Sequence, residues 1–487
     1  MPEQRSRDLA VVVLAAGLGK RLKSKVPKVL HEICGRPVLW HVLQAARTAK
    51  PSRVVVVVHH GAEEVAAAVR SWGIKPEPAF ADQGEPLGTG HAVMAAEGAI
   101  GRAADVLVLT GDEPLLTGEQ VRDLVRIHRR RDVSAVVQTT IPDDARGFAR
   151  VIRDDKGEFV RLAEGSDATR EELAVAEVST SVYAFRREDL FRALPLVGRD
   201  NRQREYYLPD VLGILRDKGE RIAVQLVDNG GSVGANSRAE MAKAASVMRR
   251  RINEAHMDAG VTLLDPDRTY IDAGVRIGPD TTILPLTFLR GDTRIGRDAT
   301  VGPATTIEDT RIGDGSTVHF AVVRGSKIGK DASVGPYVSI RPGTVIEDGA
   351  KAGTFVEIKA SRVGKRSKVP HLSYVGDAVI GEDTNIGAGT VTVNYDGWDK
   401  HRTVIGDEVL IGSDTMLVAP VEVGDRAMTA AGSTITRDVP PGALGIERAE
   451  QRTIEGFRDR KEARKAAEKG TEGRSRGRSG RKGKSGR

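Results

Sequence analysis

Three side chains in the second half of the chain have the makings of an acid–base site. Arg341 in SIRPG, Lys359 in VEIKAS and His371 in VPHLSY supply two cations and an imidazole that titrates near neutrality. Cations nearby disfavour the imidazolium, so His371 would stay neutral and able to take a proton as a general base. The alternative is a buried imidazole satisfied by a backbone carbonyl, and these residues alone leave both open.

A second group lies near the N-terminus. LAAGLGKRLKSKVPKVLH (14–31) sets Gly17 and Gly19 directly after an apolar run, with Arg21 and Lys28 behind them. The spacing is not that of a P-loop, and Leu22 stands where a G-x-G-x-x-G loop has its last glycine. A strand-to-helix turn of this kind still offers free backbone N–H groups to an anion. A plain turn with solvated basic residues is the alternative. Further on, DVLVLTGDEPLL (105–116) ends an apolar run just before Asp112, where open α/β sheets bind ligands. An Asp there serves a helix cap as readily as a metal.

The elements that must hold these groups fall into three segments. Between Leu9 and about Asp228, near-continuous Val/Leu runs alternate with amphipathic helical patterns, as a parallel sheet covered on both faces requires. SRAEMAKAASVMRRRINEAHMDA (237–259) has no Gly or Pro, precedes Gly260, and predicts one long connecting helix. From Tyr270 the period becomes six: Ile271, Ile277, Ile283, Leu289, Ile295, Val301 and Ile307, then Ile328, Val334, Ile340 and Ile346, then Ile405, Ile411, Leu417 and Val423. Small residues, often Gly, follow the aliphatic ones, where a tight turn needs little bulk or a positive φ. That is the pattern of a parallel β-helix, whose stacked coils share one core. Stacking would bring Arg341, Lys359 and His371 near one face. VNYDGWDKHRTV (393–404) breaks the period and should project as a loop.

Composition narrows the function classes. A chain of 487 residues exceeds one ordinary core. Its single cysteine, Cys34, excludes an intrachain disulfide framework and a Cys-based zinc site, and fits a reducing, cytoplasmic setting. No apolar stretch is long enough to insert in a membrane. The net charge of +7 comes from the last thirty residues, 458–487, which carry +9 and leave the body at −2. That tail is low in apolar residues and is expected to be disordered, so nucleic acid is expected only as a nonspecific contact of the tail.

Taken in order, Leu14–Gly17, Arg21, Pro27–Leu30, Pro86–Ala92 (PLGTGHA), Gly111–Asp112, Glu205–Tyr207 and Gly234–Asn236 resemble the sugar-phosphate nucleotidylyltransferase fold. With the β-helix behind them, marked by PHLSYVGDA, NIGAGT, NYDG, GSDTMLVAP and AAGST, the chain resembles the bifunctional N-acetylglucosamine-1-phosphate uridylyltransferase/glucosamine-1-phosphate N-acetyltransferase family. The resemblance implies a Rossmann-like open-sheet α/β nucleotidylyltransferase domain (1–236), a linker helix (237–260), a left-handed parallel β-helix acetyltransferase domain (261–457) and the tail (458–487).

It also implies substrates and site residues. Leu14, Ala15, Ala16, Gly17, Gln83, Gly88, Thr89 and Gly111 would hold the uridine nucleotide, and Glu164 the sugar. Arg21 and Lys28 would neutralise phosphates, and Asp112 with Asn236 would bind Mg²⁺. UTP and N-acetylglucosamine-1-phosphate would react here, releasing pyrophosphate and giving UDP-N-acetylglucosamine for the cell envelope. In the other half His371 would deprotonate the amine of glucosamine-1-phosphate as it attacks acetyl-CoA. Arg341, Lys359, Tyr374, Asn385 and Lys400 would hold that acceptor, and Ala388, Asn394, Tyr395, Ser413, Ala431 and Arg448 would line the acetyl-CoA side. A homotrimer built through the β-helix is implied as well. Five positions depart from the family pattern: G-T-R reads Gly19-Lys20-Arg21, G-Y-G-R reads Gly147-Phe148-Ala149-Arg150, and E-x-N-x-G reads Glu177-Val178-Ser179-Thr180-Ser181. Serine reaches less far than asparagine, and Ala149 adds a methyl group where the family has none.

Overall fold

The computed structural model describes residues 8–142, 144–228 and 234–478, with side-chain surroundings through residue 469. Strands β1 (Leu9–Leu14), β4 (Arg53–Val58) and β6 (Asp105–Thr110) are the Val/Leu runs of the sequence, and alternate residues serve opposite cores. Val12, Val55, Val57 and Val108 face one core, whereas Val11, Val13, Val54 and Val56 face the other. Burial on both faces is why these strands lack polar alternation.

The remaining strands of this half are the short hairpin β2 (Glu32–Ile33) and β3 (Arg36–Pro37), then β5 (Ala79–Asp82), β7 (Ala135–Thr140), β8 (Arg150–Arg153), β9 (Phe159–Ala163), β10 (Val178–Arg186) and β11 (Ile222–Leu226). The main sheet runs β11-β7-β10-β6-β1-β4-β5, with β8 and β9 attached to β10. The sheet is mixed rather than wholly parallel as expected: β10 runs antiparallel to both β6 and β7. Composition cannot reveal this, because a buried strand needs the same residues in either direction.

The linker helix spans Arg238–Asp258, capped by Ser237, whose hydroxyl accepts from Glu240 N at 3.2 Å. Beyond it, three parallel sheets of eleven, ten and nine strands form the faces of a left-handed β-helix, beginning at Thr262–Leu263, Thr269–Ile271 and Arg276–Ile277. The six-residue aliphatic positions stack in register, as Ile277↔Ile295 and Ile312↔Ile328, around one continuous core. At the solenoid's repeating glycines bulk matters more than φ: a Cβ on Gly313 would stand 2.6 Å from the carbonyl carbon of Gly329 in the next coil. Several left-handed corner positions belong instead to Asp280, Asp298 and Asp331, with φ between 51° and 59°, a conformation Asp tolerates.

The C-terminal segment differs from the structureless tail expected of its composition. Phe457–Arg478 is helical, with all described side chains exposed through residue 469. Local forces suffice for this: Ala, Lys, Arg and Glu favour helix, and Arg458–Glu462 and Arg464–Glu468 pair one turn apart. Residues 479–487 of the expected tail, like residues 1–7, lie outside the described residues.

Candidate active sites

In the first half, three distant segments meet at one ammonium. Lys28 opens a short turn (Lys28–Leu30) after β1, Asp112 follows the carboxyl end of β6, and Asn236 directly precedes the linker helix. Lys28 Nζ donates to Asp112 Oδ2 and, at 2.6 Å, to Asn236 Oδ1. Ala235 N donates to Asp112 O at 2.8 Å, so the two oxygen-bearing segments are also tied through backbone. A carboxylate oxygen and an amide oxygen converging on one cation are a hard donor pair of the kind Mg²⁺ accepts, with water and substrate phosphates completing its shell. Among the described residues no cluster of three or more His, Cys, Asp or Glu could hold a metal.

The residues expected to hold the nucleotide lie on segments beside this point. Gly17 has open space where a Cβ would stand. Gly111 N donates to Leu14 O at 2.8 Å, and a Cβ on Gly111 would be 2.9 Å from that oxygen. Ala15 and Ala16 are buried beside them. Buried Gln83 donates to Gly88 O at 3.0 Å, and Thr89 Oγ1 accepts from Leu208 N at 3.0 Å. Gly88 sits at φ +108° against the backbone of Tyr206. Arg21 is exposed at the rim, 3.6 Å from Glu240 Oε1, and Glu240 also accepts from Asn236 N at 2.9 Å.

Buried acids accompany these residues. Burial, then Asp210, Asp167 and Glu205, push the Glu164 carboxyl up to about 7. Glu113 is buried and raised well above the usual range, first by burial and then by Asp112. Sequence reasoning had no signal for Glu113, because its neighbour Asp112 already explained the motif.

The departures from the family pattern are explicit here. Ser179 is buried, its Oγ accepts from Ser181 N at 3.1 Å, and it lies 3.3 Å from Tyr183 Oη. Its hydroxyl is thus satisfied inside the protein. Ser181 takes φ +60°, the conformation that suits the glycine of the family pattern, at the irregularity where β10 shifts register against β7. Ala149 O accepts from Ser179 N at 2.9 Å, joining the two altered segments.

In the solenoid, two columns flank the second face. One runs along the corner between the first and second faces: Gly389 N donates to His371 O, Asp414 N to Ala388 O and Gly432 N to Ser413 O, at 3.4, 2.6 and 2.8 Å. Arg448 Nη1 extends it by donating to Ala431 O at 3.1 Å. His371, Ala388, Ser413 and Ala431 therefore stack coil upon coil, and the His371 side chain is exposed, which removes the buried-imidazole alternative.

The other column stands at the far edge of the same face. Ile340 pairs with Ile358, so Arg341 lies over Lys359. Lys359 Nζ donates to Asp377 Oδ2 at 3.0 Å, and Asn394 Nδ2 to the same oxygen at 2.5 Å. Arg341 Nη1 donates to Glu357 Oε1 at 3.0 Å. Stacking brings Arg341 and Lys359 together as expected, but His371 ends a strand of the first face, so a corner and a three-residue strand separate it from the Lys359 column. Tyr374 starts that strand, and Asn385 lies on the first face beside Lys368.

Residues 394–402 project as expected, with Tyr395 bridging Lys400 and Tyr395 Oη donating to Gly397 O at 2.6 Å. The loop returns Lys400 to Lys359. The Asp377 hydrogen bond raises the Lys359 ammonium, whereas the Lys359 contact lowers that of Lys400. Burial alone would raise the Asp377 carboxyl, but the Lys359 and Asn394 hydrogen bonds outweigh it and hold it low. Asp377 escaped the sequence reading, although VGDA places it one coil after Lys359.

Comparison with known proteins adds to this geometry. Residues 11–204 match the MobA-like NTP transferase domain, and residues 402–437 match the bacterial transferase hexapeptide (six repeats). The bifunctional protein GlmU of Caldanaerobacter subterraneus subsp. tengcongensis is 47% identical, covering 92% of this chain and 97% of its own length. The GlmU proteins of Streptomyces avermitilis and Nocardia farcinica are each 46% identical, covering 96% and 94% of this chain and 97% and 93% of their own.

Proposed function

The chain belongs to the family of bifunctional GlmU proteins, and from that premise we propose which residues carry each of its two reactions. It is a transferase with two activities: acetyl transfer from acetyl-CoA to glucosamine-1-phosphate, then uridylyl transfer from UTP to N-acetylglucosamine-1-phosphate, giving UDP-N-acetylglucosamine. We assign uridylyl transfer to residues 1–236, the link to 237–260 and acetyl transfer to 261–457.

Convergence of Lys28, Asp112 and Asn236 at the end of β6 is the observation that carries the first assignment. A phosphate oxygen of the sugar phosphate attacks the α-phosphorus of UTP in line, one P–O bond forms, and the bond to the leaving pyrophosphate breaks. Little covalent work falls to the protein, so positioning and charge neutralisation carry the rate. Lys28 and Arg21 neutralise phosphate oxygens, Gly17 and Gly88 let backbone approach the nucleotide, and Glu164 binds the sugar. Asp112 and Asn236 would hold Mg²⁺, which when bound supplies further charge neutralisation at the triphosphate.

At the solenoid, the exposed imidazole of His371 takes the proton from the acceptor's amine as its nitrogen attacks the thioester carbon. The thiolate of CoA then leaves. Arg341 and Lys359 hold the sugar phosphate, Tyr374, Asn385 and Lys400 surround the sugar, and the corner column through Ala388, Ser413 and Ala431, with Asn394, Tyr395 and Arg448, follows the acetyl-CoA. Three copies assemble through the β-helix in the cytoplasm. In support, Phe320, Tyr337, Phe355 and Leu372 form an exposed apolar strip beside His371, with ring centroids 5.3–5.4 Å apart, that a neighbouring copy would cover. Among the described residues no helix is long and apolar enough to cross a membrane.

The test is synthesis from glucosamine-1-phosphate, acetyl-CoA, UTP and Mg²⁺ by the purified chain alone. UDP-N-acetylglucosamine should form only when all four are present; its formation without acetyl-CoA, or its absence, would overturn the reading.

A further inference from the structure

The hairpin of β2 and β3 begins directly after the turn that carries Lys28, and its tip reaches the first coils of the solenoid. There Ala273 N donates to Cys34 O at 3.0 Å, and Arg36 Nη2 donates to Asp292 Oδ1 at 2.9 Å. Gly35 sits at φ +73°, and a Cβ on it would overlap the carboxylate of Asp272 and stand 2.8 Å from that residue's own Cβ. Both the backbone conformation and the space therefore demand glycine at the tip.

Behind the tip is a core separate from those that flank the sheet. Ile33 and Val38 from the hairpin region pack with Leu115, Ala235 and Ala244. Leu115 lies just beyond Asp112, Ala235 directly precedes Asn236, and Ala244 belongs to the linker helix. Arg251 of the same helix donates to Leu115 O at 2.6 Å. This small core joins the segments that bring Lys28, Asp112 and Asn236 to one point. With so few buried apolar residues it has little stability of its own to hold that geometry.

We propose that the Cys34–Gly35 tip, seated on Asp272 and Ala273, is a positioning element for uridylyl transfer, through which the first coils of the β-helix hold the Lys28–Asp112–Asn236 cluster. The proposal rests on the assignment of that cluster to uridylyl transfer. Its consequence is that the nucleotidylyl half borrows its working geometry from the other enzyme's scaffold.

Cys34 supplies a built-in reporter, being the only cysteine of the chain. Its thiol is partly buried, donates to Ala245 O at 3.7 Å, and is pushed up to about 11, chiefly by burial, so it labels slowly while the tip is seated. The experiment compares the full chain with Gly35→Ala, Asp272→Gly and the double variant, measuring thiol labelling by a soluble aromatic disulfide, pyrophosphate release against Mg²⁺ concentration, and acetyl transfer.

Gly35→Ala should label several-fold faster, lose about tenfold to a hundredfold in the turnover of uridylyl transfer, and need more Mg²⁺ for half-maximal rate. Its acetyl transfer should stay within about twofold of the parent, because the altered coil lies far from His371. Asp272→Gly removes the atoms that a Cβ at residue 35 would strike but leaves the strain of alanine at a positive φ, so the double variant should recover part of the uridylyl transfer that Gly35→Ala loses and label more slowly than it. Faster labelling with unchanged uridylyl transfer would overturn the proposal, as would no change in either, or loss of both activities without rescue. A parent chain that releases no pyrophosphate would overturn the assignment beneath the proposal, a result told apart because no variant enters it.

Discussion

Exchange of Asp112 for Asn isolates the charge at the meeting point of the first site. Lys28 and Asp112 are mostly shielded, with side chains 12% and 21% exposed, so solvent screens their attraction weakly. Replacing the carboxylate by an amide keeps shape but removes the charge that would hold Mg²⁺ beside Lys28, and losing one preorganised electrostatic contact costs about 3 kcal/mol in the transition state. At about 1.4 kcal/mol per tenfold, uridylyl transfer should fall about a hundredfold or more. Pyrophosphate release under saturating UTP and Mg²⁺ reads this directly, with acetyl transfer by the same preparation as the internal standard. A fall of less than about threefold, or an equal fall in both activities, would refute the reasoning.

Other perturbations reach different parts of the molecule. His371→Ala should lower acetyl transfer about 10²–10⁴-fold, the range of a general base, and leave pyrophosphate release intact; equal loss of both would mark a structural histidine. Glu164 carries a folded-state value of about 7 against 4.5 unfolded, so the folded chain holds a proton that the unfolded one has lost between those values. Its cost to stability is absent below about pH 4.5, grows as pH rises through 7, and reaches at most about 3 kcal/mol. Glu164→Gln should therefore raise the thermal midpoint relative to the parent at pH 8 and leave the difference near zero at pH 4.5; a difference independent of pH would contradict this. Gly313→Ala forces a methyl group into the backbone of the next coil and should cost about 1–3 kcal/mol, read as a lower thermal midpoint with the rate of pyrophosphate release retained at 25 °C.

Much of the architecture was legible because burial imposes period. Val-rich runs filled on both faces could only be interior strands, and an aliphatic residue every sixth position could only stack in a solenoid. What stayed hidden depends on pairs far apart in sequence. The reversed direction of β10 leaves no trace in its residues. The separation of His371 from Lys359 arises because a coil turns a corner between them, which coil spacing does not encode. Asp377 meets Lys359 and Glu113 loses its water only on folding, and the helix at Phe457–Arg478 needs only local propensity, which its charge obscured. Ser181 was visible as a departure, but its φ of +60° shows that the backbone keeps the glycine conformation under the substitution.

Sugar selectivity in the first half tests the central claim most directly, because Ser179, whose hydroxyl meets Ser181 N and Tyr183, stands where the family pattern has its asparagine. Pyrophosphate release with UTP and Mg²⁺ should be compared for N-acetylglucosamine-1-phosphate, glucosamine-1-phosphate and glucose-1-phosphate. A strong preference for the N-acetylated sugar is the predicted result and completes the order acetylation, then uridylylation. Equal or feeble release with all three would contradict it and leave the β-helix as the only half working as assigned.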